Sequence, residues 1–140
     1  MIEANNLIPY LISSYPMVRD QLVQTVDDWL GDDGNTRPCM VMSAVSELVE
    51  DRLAQGEYEG ADRLFNLVDR MLMEGSAALR EAASTCFLEN LMNHSRLLDP
   101  QFYVPLLGPA AKEYCRARDE FAGVKTPGLY DEAEETPVEG

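Results

Sequence analysis

Residues 61–91, ADRLFNLVDRMLMEGSAALREAASTCFLENL, decide the fold. Ala61, Leu64, Phe65, Val68, Met71 and Leu72 recur at three- and four-residue spacing with polar residues between them, which is the period of an amphipathic helix rather than the alternation of a strand. Gly75 stops that pattern and Ser76, a good helix cap, restarts it with Leu79, Ala82, Ala83, Cys86, Phe87, Leu91 and Met92 on a second stripe. Two helices joined by so short a break are expected to lie antiparallel as neighbours.

The same period extends in both directions, and no segment alternates with period two over a useful length. Upstream it predicts helices over about Asn5–Ser14, Pro16–Leu30, Thr36–Gly56 and Glu57–Glu74, with Thr36 capping the third and Pro38 in its first turn. Between the second and third, Gly31-Asp32-Asp33-Gly34-Asn35 is an irregular loop. Downstream, the helix opened by Ser76 runs to about Asn93, Asp99-Pro100 starts a short sixth helix, and Gly108-Pro109 starts a seventh through Phe121. The expected architecture is a single all-α domain of six to seven antiparallel stacked helices over residues 1–121. An acidic, solvated and disordered tail is expected over residues 122–140, where five acids face one Lys125. A chain of 140 residues buries enough surface to hold such a core without metals or disulfides.

Charge is unevenly placed. The chain carries 25 Asp plus Glu against 11 Lys plus Arg, a net charge of -14, and residues 20–62 hold eleven of the acids against two bases, Arg37 and Arg52. On the second and third helices Asp20, Asp27, Asp28, Glu47, Glu50 and Asp51 fall opposite the apolar stripe; Asp32, Asp33, Glu57, Glu59 and Asp62 extend the run. Glu47 meets Glu50 at i+3 and Asp51 at i+4, like-charge spacings that cost a helix about 0.2 to 0.5 kcal/mol each. Residues 63–121 are nearly balanced and offer compensated spacings such as Arg70 with Glu74 and Arg116 with Glu120. Two readings fit: a face that keeps the protein soluble, or a docking face for a basic partner, with Tyr58 as an aromatic anchor. Trp29 falls on the apolar stripe and is expected in the core. Clustered Lys and Arg, which binding to nucleic acid or an anionic membrane demands, are absent.

Groups for catalysis are few. The one histidine, His94, is placed just past a predicted helix end, where a partly cationic imidazole suits the dipole. No motif joins it to a cysteine nucleophile. The loop at residues 29–40 fails as an EF-hand, because aligning Gly34 with the obligatory glycine puts Trp29, Gly31 and Met40 at ligand positions. No CxxC, histidine pair or phosphate-binding glycine motif occurs. No enzyme, cofactor or metal is expected. Cys39, Cys86 and Cys115, odd in number and among apolar neighbours, are expected to be three buried reduced thiols, which together with the lack of a signal-peptide pattern suggests a cytoplasmic protein. No stretch reaches the roughly 18 apolar residues of a membrane span.

Two resemblances add to this. Leu79-Arg80-Glu81-Ala82-Ala83 resembles the Val-Arg-x-Ala-Ala opening of a HEAT repeat, over about residues 64–92, and implies a helical stack without an activity. Residues 82–91, AASTCFLENL, followed by 103–109, YVPLLGP, resemble small acidic helical immunity proteins of bacterial toxin systems, over about residues 40–118. That resemblance implies a cytoplasmic inhibitor that binds a toxin domain, and its motif residues are structural ones that carry no binding role. Joined to the acidic run, it suggests that Asp20, Asp27, Asp28, Asp32, Asp33, Glu47, Glu50, Asp51, Glu57, Tyr58 and Glu59 cover a basic surface such as that of a nuclease. The alternative is a helical adaptor that takes an apolar helix or peptide in a groove between helices.

Overall fold

Pro38 and Pro109 open the two helices in which they stand, because a helix's first turn needs no N–H from them and their fixed φ is already helical. The computed structural model describes residues 3–93, 100–123, 126 and 129. Among these there are eight α-helices and no strand: α1 (Leu7–Ser14), α2 (Val18–Gln24), α3 (Val26–Trp29), α4 (Pro38–Ala54), α5 (Ala61–Glu74), α6 (Ala77–Ala83), α7 (Glu89–Asn93) and α8 (Pro109–Ala122). The all-α, single-domain expectation holds.

Several boundaries differ from the sequence reading, each for a local reason. The helix expected over Pro16–Leu30 is broken at Thr25. There the Thr25 hydroxyl donates to the Gln21 carbonyl at 2.8 Å, and the Trp29 indole N–H donates to the Leu22 carbonyl, also at 2.8 Å. Thr36 does not cap α4; it pairs with Leu30 in an isolated bridge that closes the Gly31–Asn35 loop. The fourth helix begins at Ala61 rather than Glu57, after Gly60 in the left-handed conformation at φ 77°. The chain from Ala77 to Asn93 is not one α-helix, since Ser84–Leu88 winds as a π turn between α6 and α7. The expected sixth helix is two 3-10 turns, Pro100–Phe102 and Val104–Leu106; Asp99 and His94 lie outside the described residues.

Helix α6 and the π turn sit at the centre, between α4 on one side and α5 on the other. Helix α4 also packs on α2, α3 and α7, and α5 on α1 and α8. The core they enclose includes Leu7, Leu11, Val45, Val49, Leu64, Val68, Leu79 and Leu88, all fully buried. The widened π turn buries Cys86, Phe87 and Leu88 in succession, and Phe87 meets Phe65 of α5 edge to face at 5.6 Å. Beneath it, the Asn90 side-chain amide donates to the Cys86 carbonyl at 2.8 Å and to the buried Ser46 hydroxyl of α4 at 3.3 Å.

The cysteines do not follow the expectation of three reduced thiols. Cys39 and Cys86 are joined in a disulfide across a sequence separation of 47 residues, Cα to Cα 5.3 Å, and Cys39 is exposed. Only Cys115 is a free, buried thiol. A crosslink closing a loop of that size removes about 4 kcal/mol of unfolded-chain entropy. Most of the expected tail, residues 122–140, lies outside the described residues; among those described, Thr126 donates its N–H and its hydroxyl to fully buried Asp119 at 2.7 and 2.8 Å, and Leu129 is buried with its carbonyl held by Arg116.

Candidate functional site

Helix α4 decides where its acids point. Val41, Met42, Val45, Val49 and Leu53 take its inner side, which leaves Met40, Glu47, Asp51 and Ala54 exposed along one stripe. Glu50, on the flank, is half-buried and has an interaction partner. Asp51 accepts a hydrogen bond from the Gln55 side chain at 3.0 Å. Helices α2 and α3 pack on α4 and present Asp20, Asp27 and Asp28 at exposed positions.

The Gly31–Asn35 loop is a tight turn built by Asp33. Its carboxylate accepts the Asn35 backbone N–H at 3.0 Å and the Asn35 side-chain amide at 3.1 Å, which hold its carboxyl below the usual carboxylate range. A shallow pocket of about 350 Å³ opens here, lined by Gly31, Asp32, Asp33, Asn35, Thr36 and Arg37. No cluster of His, Cys, Asp or Glu suited to a metal occurs among the described residues.

The next loop is set by Gly60, where a side chain would meet Tyr15 at 3.2 Å and Met17 at 3.4 Å, so it lies against the fully buried Tyr15. Glu57 of this loop pairs with Arg52 at 2.7 Å; burial pushes the Tyr15 hydroxyl's pKa up, while the Arg52 guanidinium opposes that shift. Tyr58 and Glu59 are exposed. Sequence reading thus placed eleven residues on one face, and the structure divides them. Asp20, Asp27, Asp28, Asp32, Glu47 and Glu59 are exposed and make no ion pair among the described residues, whereas Asp33, Glu50, Asp51 and Glu57 have local partners. Trp29, expected in the core, is half-buried and packs against the core from outside it.

A second polar cluster went unread in the sequence. The Tyr114 hydroxyl of α8 donates to Glu89 of α7, and Arg118 approaches Glu89 at 3.8 Å while donating to Asn93 at 2.6 Å. Burial and the Glu89 carboxylate push the Tyr114 pKa up to about 12. The i,i+4 spacing of Tyr114 and Arg118 was available as a signal, but their shared partner Glu89 is 25 residues from Tyr114 and further still from Arg118. Partly buried, the group ties α7 to α8.

The described residues contain no helix long and apolar enough to cross a membrane. A family model described as a domain of unknown function, DUF7674, matches residues 8–123. No curated protein and no solved structure matches.

Proposed function

The chain belongs to that domain family, whose function is unknown, and from the acidic layer formed by α2, α3 and α4 we propose that it is an immunity protein, a cytoplasmic inhibitor that neutralises a toxin domain through that layer. One observation carries the reading. Asp20, Asp27, Asp28, Asp32, Glu47 and Glu59 are exposed with no ion pair among the described residues, and exposed Val23, Leu30, Met40 and Tyr58 interleave with them along the chain. Apolar and aromatic anchors among charged neighbours are what a docking surface needs, since the anchors supply affinity and the charges supply steering. A partner suited to it carries a basic surface, as an enzyme with an anionic substrate does, and the carboxylates stand in for phosphates. The proposal assigns the chain no catalytic step. A cytoplasmic site follows from the role, not from the cysteines, two of which are bridged.

Co-expression with the product of the neighbouring gene tests this. Growth rescue and a one-to-one complex that weakens about tenfold or more between low and high salt are expected. The Asp27→Lys, Asp28→Lys, Glu47→Lys variant, altered only at exposed positions, should keep its helical spectrum and lose the complex. Unchanged binding by that variant would reject the acidic layer. A complex indifferent to salt and lost on substitution of apolar groove residues would favour the adaptor instead.

A further inference from the structure

We propose that the Cys39–Cys86 bridge is a reversible thiol-exchange site, opened by a dithiol reductant through attack at exposed Cys39 and closed again by the matching oxidised dithiol.

Position makes the two sulfurs unequal. Cys39 is exposed in the first turn of α4, whose flanking Arg37 supplies no side-chain cap, so this turn opens locally at low cost. Cys86 is 4% exposed inside the π turn. It is held there by the Asn90 amide on its carbonyl and by the packing of its neighbour Phe87 on Phe65. An incoming thiolate therefore reaches the Cys39 sulfur. It forms a mixed disulfide with Cys39 and expels Cys86 as a thiolate, which takes up a proton. The reagent's second thiol then attacks its own sulfur in the mixed disulfide and releases Cys39. Two electrons and two protons pass from the dithiol, now a cyclic disulfide, to the protein's two thiols.

Closure is favoured because reduction leaves the floor of the site in place. Cys86 cannot drift from α4 while α4, α6 and the π turn stay packed together, so the thiols remain at high effective concentration. A Cys39 thiol at the start of a 17-residue helix also has the dipole to favour its thiolate. The third cysteine does not compete. Cys115 is 1% exposed and burial pushes its pKa up to about 12, so it offers almost no thiolate for scrambling. Opening also acts beyond the pair. The Arg37 N–H donates to the Trp29 carbonyl and Leu30 pairs with Thr36, so the 31–36 loop hangs from the turn that the bridge secures.

The full chain is oxidised, treated with dithiothreitol without denaturant, quenched with an alkylating reagent and read by peptide mass. Cys39 should label and the Cys39–Cys86 crosslinked peptide should disappear while Cys115 stays unlabelled, with the far-ultraviolet circular dichroism unchanged. Adding the oxidised cyclic dithiol should restore the bridge. On reduction, hydrogen exchange should rise about tenfold or more across residues 31–41 and stay level across 61–74. In Cys86→Ser, oxidised glutathione should cap Cys39, and in Cys39→Ser it should leave Cys86 unmodified. Should a variant fail to fold, the wild-type labelling decides alone. Labelling of Cys39 that needs denaturant, or that takes in Cys115 as well, overturns the proposal, as does an oxidised chain without the bridge.

Discussion

Asp69 on α5 caps a helix it does not belong to: its buried carboxylate accepts the Ala111 backbone N–H, in the first turn of α8, at 2.8 Å. The contact satisfies one of the orphan donors of that turn and places negative charge at the positive end of the dipole. Gly108 makes room for it, since a side chain there would lie 2.5 Å from the Asp69 carboxyl carbon. Asp69→Ala should cost about 2 kcal/mol, and Gly108→Ala a similar amount by driving the carboxylate off the amide. The two are coupled, so the double variant should lose clearly less than the sum. Urea denaturation of the four proteins measures this; strict additivity would show that Gly108 does not serve the cap.

That relationship marks where sequence reading ends. Gly108-Pro109 announces the start of α8, and the three-and-four spacing of Leu64, Phe65 and Val68 announces α5, because stop signals and apolar period are local properties. That an aspartate 42 positions away would cap α8 is not local, and neither is the Cys39–Cys86 pairing. The break at Thr25 and the π turn at Ser84–Leu88 were unreadable for a related reason: both depend on side chains taking backbone carbonyls, Trp29 that of Leu22 and Asn90 that of Cys86, which an apolar pattern does not encode. The acidic run itself was legible. Its division into paired and unpaired carboxylates was not, because Arg52 reaches Glu57 only once Gly60 folds the loop back on Tyr15.

Stability should fall on the alkaline side. The Tyr114 pKa is raised from 10.0 to about 12 by burial and by the Glu89 carboxylate, and that of Cys115 from 9.0 to about 12 by burial, with Asp119 adding to it and Arg118 opposing it. Both groups are held protonated in the fold. Their contribution is fully present below pH 9, where folded and unfolded chains alike keep the proton. It drains away as pH rises toward about 12, because the unfolded chain ionises first. Melting temperatures between pH 8 and 11.5 should decline, and less steeply in Tyr114→Phe and Cys115→Ala. Identical slopes in all three proteins would remove these groups from the explanation.

Asp33 should titrate below the usual carboxylate range, because the Asn35 N–H and side-chain amide both favour its ionised form. Asn35→Ala removes the side-chain donor and leaves the backbone one, so the Asp33 midpoint should rise part of the way. Carboxyl-carbon NMR across pH 2 to 6 of the parent and the variant resolves this. A midpoint unmoved by Asn35→Ala would assign the whole depression to the backbone N–H.

Chain beyond α8 should contribute to stability despite its composition. Leu129 is 1% exposed, and its carbonyl takes two donors from Arg116, at 3.2 and 3.1 Å, while Asp119 holds Thr126. Gly123, left-handed at φ 73°, turns the chain out of α8. Leu129→Ala should therefore cost about 2 to 3 kcal/mol, the value of a core leucine rather than of a solvated one. Asp119→Ala should cost about 2 kcal/mol by stranding the Thr126 donors. Because the two sites hold the same segment, their effects should overlap when combined. Chemical denaturation of the single and double variants gives the comparison, and a Leu129→Ala protein as stable as the parent would return this segment to solvent.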